Sequence, residues 1–382
     1  MAAGFPHNLA MAITTNQGFG AAVEIASRWR RGLRVLFGIA ALAALAGCAD
    51  TRYYWQSVHG HLQLMQASRP VEQWLADPQT PADLRQRLAL AQRIRAFAVT
   101  SLALPDNPSY HRYADLHRNA VVWNVVAAPP LSLKLKTWCF PVLGCVSYRG
   151  YFDEADARRE AAALQAQGME VGVYGVPAYS TLGWMNWAGG DPLLNTFITY
   201  PEGELARLLF HELAHQVLYA RDDTMFNESF ASAVERLGGA LWLQTRASAQ
   251  AREQYAAFDA RRRAFRALTL ATRTRLEQVY ARSGQPDEAG LLAQKQLVMQ
   301  EFRARYEQLK QQWGGYAGYD HWVGGANNGS LGAQAAYDAL VPQFEALFEQ
   351  QGRDWPAFYD AVRRIAELPS EERRQALKSL TP

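Results

Sequence analysis

His211-Glu212-Leu213-Ala214-His215 is the stretch on which the reading of this chain turns. It reads His-Glu-x-x-His, inside a segment whose apolar residues Leu205, Leu208, Leu209, Leu213 and Val217 keep helical spacing. On a helix of 3.6 residues per turn, positions four apart lie within about 40° of each other. Both imidazoles therefore reach a common point, and the Glu212 carboxylate projects beside them. Two histidines with an adjacent carboxylate are the parts of a zinc-dependent hydrolytic site. His211 and His215 are the expected ligands, and Glu212 is the general base that takes a proton from the attacking water.

Working outward, Thr199-Tyr200-Pro201-Glu202 reads as a capping box; in an alternative frame Pro201 is the first helical residue. Either start places both histidines mid-helix. A third ligand is needed. The metzincin form, with a histidine six residues on, is excluded because Arg221 stands there. The next segment offers Asn227-Glu228-Ser229-Phe230-Ala231, in the first turns of a helix that follows Asp222-Asp223-Thr224 and is expected to end at Gly238-Gly239. Asn-Glu-x-Phe-Ala resembles the second signature of gluzincin peptidases, which makes Glu228 the third ligand. Glu235 is the competitor for that role. Two imidazoles and one carboxylate on a single Zn2+ leave a fourth position open, as catalysis requires.

His-Glu-Leu-Ala-His-Gln followed by Asp-Thr-x-Phe-Asn-Glu-Ser-Phe-Ala is similar to a family of bacterial lipoproteins classed, from the motif, as zinc aminopeptidases. The likeness extends to Cys139 to Phe152, Tyr179 to Trp184, Asn327-Asn328 with Tyr337, and Val341-Pro342. It implies an α+β, helix-rich, zincin-like metallopeptidase domain with a small mixed β-sheet ahead of the His-Glu-x-x-His helix. Two departures from gluzincins stand out. Only twelve residues separate His215 from Glu228, fewer than in better-known gluzincins. The position where thermolysin-like enzymes carry a histidine-orienting Asp is Ser232, so that task falls to Glu235, Asp222 or Asp223. For the oxyanion of the reaction, Tyr316, Tyr319 and His321 of a glycine-rich loop are the candidates.

Ahead of this core, Arg28 to Arg34 is a basic run and Val35 to Ala46 an apolar run of twelve residues, too short to span a bilayer but suited to a signal-peptide core. Leu45-Ala46-Gly47-Cys48 resembles the lipobox of bacterial lipoproteins, in which the cysteine becomes the lipidated first residue. Residues 1–47 are thus read as a lipoprotein signal peptide and 48–382 as the peptidase domain. Ala49, in place of Asp, points by analogy to the outer membrane, with the domain facing the periplasm. That compartment permits a disulfide between Cys139 and Cys145. Without residues 1–47 the chain holds 35 basic and 35 acidic residues, so its charge offers nothing to nucleic acid.

Within the domain, a short helix is expected at 53–67 and a longer one from Pro81 to Leu102. His59, His61, His111 and His117 nearby read as surface or packing residues. Strands are expected at 120–126, 146–152 and 169–174, with a helix over 153–167, placing the strand-containing part at about 110–200. The aromatic stretch 177–199 is either an irregular loop or a cleft wall with an edge strand for an extended peptide. The metal helices occupy 200–238 and a helical part 245–382. That part comprises a pair at 249–283 and 287–312 around Gly284-Gln285-Pro286, an Arg261-Arg262-Arg263 run on a solvated face, and closing helices at 333–348, interrupted by Pro342, and 355–366. Asn327 to Ser330 is a turn with candidate cleft contacts. The expected function is peptide-bond hydrolysis, as an aminopeptidase. An endopeptidase of the same fold and a non-catalytic envelope scaffold are the alternatives. The expected partners are a peptide or protein substrate and the membrane, through the lipid anchor.

Overall fold

The computed structural model describes residues 53, 55–140, 144–178, 180–183, 186–281, 287–334 and 340–380. They divide into two units, residues 1–58 and 59–382. Of the first, residues 55–58 are helical and the Ser57 hydroxyl donates to the Tyr53 carbonyl. The signal segment and Cys48 lie outside the described residues. So do Tyr179, Trp184, Tyr337 and the Gly284-Gln285-Pro286 turn. No helix among the described residues is long and apolar enough to cross a membrane.

The second unit begins with a helical stretch at 59–67 (α1), β1 (Arg69–Pro70), α2 (Val71–Ala76) and α3 (Ala82–Leu102). Ala103, at φ 50°, ends α3 before the proline segment is reached. Next come β2 (Arg112–Ala114), β3 (Val122–Ala128), β4 (Trp138–Phe140), β5 (Gly144–Val146), β6 (Arg149–Tyr151), α4 (Glu154–Gln165) and β7 (Glu170–Val176). The strand expected over 146–152 is thus two short ones in different sheets. A bend at Ser147 lets β5 close a hairpin with β4, while β6 joins β3. The buried, β-branched β3 is central in the antiparallel sheet β6-β3-β7, and Asn124 lies opposite both Gly150 and Tyr174. This leaves β7 as an edge. Asp153 caps α4 through the Asp156 amide.

The aromatic stretch after β7 is mostly irregular. It holds one 3-10 turn (Asn186–Ala188) and β8 (Leu193–Leu194), which pairs in parallel with β2. The helical remainder comprises α5 (Glu202–Ala214), α6 (Thr224–Thr245), α7 (Ala249–Tyr280), α8 (Glu288–Gln312), α9 (Asp320–Gly324), α10 (Asn328–Ala333), α11 (Val341–Gln350), α12 (Trp355–Ala366) and α13 (Ser370–Lys378). The fold is a helix-rich α+β arrangement with small mixed sheets.

Several expectations need correction. Helix α6 does not stop at Gly238-Gly239. A Cβ at 238 would stand 2.6 Å from Leu102 Cδ1, and one at 239 2.6 Å from Arg207 Cγ, so these glycines admit neighbours rather than ending the helix. Pro342 sits in the first turn of α11, where its missing N–H costs nothing, and it interrupts no helix. Asn327 caps α10 in a capping box with Ser330. The buried Asn328 donates to the carbonyls of Pro129 and Pro130 and accepts from Tyr280, so this turn ties the helical part to the sheet. Arg262 is half-buried and bonds Glu204, so the arginine run is not simply a solvated face.

The larger core surrounds α5. Leu205, Leu209, Phe210 and Leu213 are fully buried among residues of α3, α6, α11 and α12. Each such side chain contributes roughly 1.5–3 kcal/mol by leaving water. A second cluster, including Phe265, Leu276, Phe302 and Tyr306, joins α7 to α8.

Candidate metal centre

Helix α5 carries the two histidines at its C-terminal end. Pro201 is the N-cap and no side chain caps the amides there. The Glu202 carboxylate, expected to cap, instead accepts from Trp242 Nε1 at 3.0 Å. His211 is in the last turn and His215 is the C-cap, so the site sits at the end of a buried helix rather than in its middle. The chain then tightens, with Gln216 and Val217 bonding back to the carbonyls of Leu213 and Ala214.

What fixes this end is Gln216. Its Oε1 accepts from Asn107 Nδ2 at 2.7 Å, and its Nε2 lies 3.2 Å from Ser109 Oγ and 3.3 Å from Asp191 Oδ2. Asp191 is fully buried and also accepts the Thr181 amide. Burial pushes its carboxyl up to about 6 against these hydrogen bonds, and the Glu212 charge adds to the rise. The irregular aromatic stretch is thereby pinned beside the end of α5 that carries His211 and His215. No periodicity marks Asp191 in the sequence, and its neighbours in space come from three separate segments.

Helix α6 brings the carboxylate. Asp223 caps it through the Phe226 amide and is held by Arg373 of α13, Nη1 to Oδ2 2.7 Å. One turn into α6, Glu228 points at both histidines. Its Oε2 lies 3.3 Å from His211 Nε2 and 3.7 Å from His215 Nε2, and the two Nε2 atoms are 3.2 Å apart. These three residues form the one His/Cys/Asp/Glu group among the described residues with metal-holding geometry. Donors on a tetrahedral zinc at about 2.05 Å are separated by about 3.3 Å, so the triangle already has the size such an ion requires. The residues present fit the group.

The electrostatics agree with a cation site. Burial favours a neutral Glu228, but His215 and His211 override it and hold the carboxyl well below its usual range. Burial would lower His211, yet Glu228 and Glu235 push it well above the usual histidine range. Both shifts express the same strong attraction around a point where no proton is needed if a cation is bound. Glu212 is half-buried, and burial raises its pKa despite the pull of His211 and His215.

Of the orienting candidates, only Glu235 reaches a histidine of this cluster, with its Oε2 3.0 Å from His211 Nδ1. That contact also separates it from Glu228, which takes the Nε2 side. Asp222 instead accepts from the Cys145 amide at 2.8 Å. Cys139 and Cys145 face each other across β4 and β5 and are disulfide-bonded, so this hairpin rests on the loop between His215 and Glu228. Tyr319 stacks on Phe265 at 4.0 Å, and Tyr316 lies under Arg261 at 4.4 Å. The aromatic loop that carries Tyr316, Tyr319 and His321 thus packs on the helical arm. The tyrosines that feel the Glu228 charge are Tyr174 on the sheet edge and Tyr219, both pushed up chiefly by burial. Neither stands out in the sequence, because only the fold brings β7 and the loop after α5 to the site.

A family model described as "Putative aminopeptidase" matches residues 52–377. The chain belongs to that family. No curated protein and no solved structure matches the chain. The family description suggests a peptidase, and the His211, His215 and Glu228 cluster is compatible with a metallopeptidase.

Proposed function

We propose that the protein is a zincin-like zinc metallopeptidase that hydrolyses peptide bonds, with His211, His215 and Glu228 as ligands of one Zn2+ and Glu212 as general base. The observation that carries this reading is the triangle of donors at tetrahedral spacing with a half-buried carboxylate beside it. Zinc at that point supplies Lewis acidity, which polarises a carbonyl and acidifies water. The rest falls to the chain. Glu212, raised by burial, takes the proton of the attacking water and returns it to the leaving amine. The hydroxyls of Tyr174 and Tyr219, close enough to feel Glu228, are the candidate donors to the oxyanion.

The family description favours release of N-terminal residues. An endopeptidase is the second reading, and one observation supports it. Classical aminopeptidases hold the free amino terminus with a Gly-x-Met-Glu-Asn motif, to which only Gly168-Met169-Glu170 comes near, and Glu170 is already committed: it pairs with Lys295, and its Oε2 accepts the Asn328 amide at 2.8 Å. The basic run, apolar core and Cys48 support an export signal and a lipid anchor, with the domain in the periplasm at the outer membrane.

The full chain, purified with one equivalent of zinc and incubated with a mixed peptide library, tests the proposal. Release of single N-terminal residues, lost in Glu212→Gln while zinc stays bound, is the expected outcome. Internal cleavage selects the endopeptidase, and bound zinc without cleavage by the unmutated protein defeats the catalytic reading.

A further inference from the structure

Behind His211 lies a buried set of charges that the proposed reaction does not use. Glu235 is seven residues after Glu228, on the same side of α6. Its carboxylate is shared, with Oε1 accepting from Arg207 Nη2 and Oε2 standing 3.0 Å from His211 Nδ1. Arg207 is one turn before His211 on α5 and only 6% exposed. Its Nη1 donates to the Tyr255 hydroxyl of α7 at 2.8 Å and lies 3.5 Å from Glu204 and 3.7 Å from Asp259. Arg262, also on α7, closes the set on Glu204 at 3.0 Å and on Asp259.

The helices are shaped around this chain of contacts. A Cβ at Gly239 would stand 2.6 Å from Arg207 Cγ, and one at Gly203 would stand 2.4 Å from the Tyr255 ring. Glycine inside a helix costs about 1 kcal/mol relative to alanine. Helix α6 accepts that cost at Gly239, where Arg207 must lie close, and Gly203 in the first turn of α5 leaves room for Tyr255. Surface ion pairs need no such room.

We propose that Arg207 and Tyr255 are positioning residues which, acting through Glu235, fix the orientation and tautomer of His211, so that helix α7 sets the strength of the metal site. This rests on the ligand role given above to His211. A ligand imidazole must present a bare Nε2, which requires its proton on Nδ1. An anionic oxygen 3.0 Å from Nδ1 favours that tautomer. The contact is off the ring N–H axis, so it depends on where the carboxylate is held, and Arg207 Nη2 holds it by binding Oε1. Tyr255 in turn holds Arg207 in place, since a guanidinium free to swing would draw the carboxylate away.

Three variants of the full chain test this: Glu235→Gln, Arg207→Met and Tyr255→Phe. Nitrogen NMR of the metal-free protein, recorded at a pH high enough that His211 is neutral, reads its tautomer, and competition with a chromophoric chelator reads zinc affinity. Melting without zinc reports folding. The expected result is an Nδ1–H tautomer in the unmutated protein, mixed in Glu235→Gln and Arg207→Met, with zinc held about 10–100-fold more weakly. Tyr255→Phe, which removes one oxygen and is the mildest change, shifts both readouts in the same direction by a smaller factor. Should Arg207→Met fail to fold, the other two decide. Unchanged tautomer and zinc affinity within about twofold in folded Glu235→Gln and Tyr255→Phe overturn the proposal. An unmutated protein that holds no zinc defeats the function proposed above, yet the tautomer of its His211 still decides whether the relay exists.

Discussion

Asn227 grips both polar atoms of the Ala220 backbone: its Nδ2 donates to the carbonyl at 2.7 Å and its Oδ1 accepts the amide at 2.7 Å. Asn227 is 1% exposed and Ala220 4%. This clasp closes the short connection between His215 and Glu228, and it explains the Asn of the Asn-Glu motif without any contact to substrate. Replacing Asn227 by Leu strands two buried backbone groups, at a cost of roughly 3 kcal/mol. Asn227→Asp fares little better, since a carboxylate cannot donate to the carbonyl. Urea denaturation of the metal-free protein measures this, and a loss below about 1 kcal/mol defeats the assignment.

The buried Asp191 gives a pH dependence of definite sign. Its carboxyl titrates near 3.8 when exposed and at about 6 in the fold. The native state therefore holds a proton that the unfolded chain has lost between these values. The contribution of Asp191 to stability is fully present below about pH 4 and is lost as pH rises toward 6. A two-unit rise corresponds to about 3 kcal/mol. Asn at this position keeps an acceptor for Thr181 and Gln216 without the charge. Asp191→Asn is thus expected to gain on the unmutated protein as pH goes from 4.5 to 7.5, when both are unfolded with urea in the presence of chelator. A difference that stays flat across that range removes the buried charge from the account.

The hairpin that rests on the connecting loop makes a three-way comparison possible. Asp222 has φ 60°, a conformation that Asn and Asp tolerate and Ala does not, and its Oδ1 accepts from Cys145. Asp222→Asn is expected to be nearly silent, and Asp222→Ala to lose about 2 kcal/mol from bond and strain together. Gly144→Ala is the most severe, because φ is 75° and a Cβ there would meet Asp222 Oδ1 at 1.9 Å. The order of the three melting temperatures checks this. An Ala at 222 as stable as an Asn is incompatible with the contact.

These elements also show where the sequence was legible. Helices α3, α4 and α12 announce themselves through Pro81, Asp153 and their apolar spacing, because the signals are local. The grouping of His211, His215 and Glu228 was readable for the same reason, since each motif is local to one helix and its end. Gly238 and Gly239 misled, because glycine in a helix signals an ending unless one knows that Leu102 and Arg207 press against it. Ser147 divided one expected strand into two for want of a partner visible in the sequence. Asp191, Tyr174 and the Arg207–Tyr255 contact depend on segments brought together from afar, and nothing within one window of residues encodes them.

Metal removal separates ligands from base. A cation bound to the native donors and not to the unfolded chain adds stability by mass action, about 4 kcal/mol at a thousandfold excess over the dissociation constant. The unmutated protein is therefore expected to melt higher with zinc than with chelator. In Glu228→Gln the third donor loses its charge, and in His215→Ala the second is gone, so both should lose most of that rise. Glu212 stands beside the donors and outside their triangle. Glu212→Gln should keep the zinc-dependent rise in full while losing peptide cleavage. Thermal melts with and without zinc on these four proteins read all of this at once. If Glu212→Gln loses the rise as completely as Glu228→Gln does, Glu212 is a ligand and the division of roles proposed for this site is wrong.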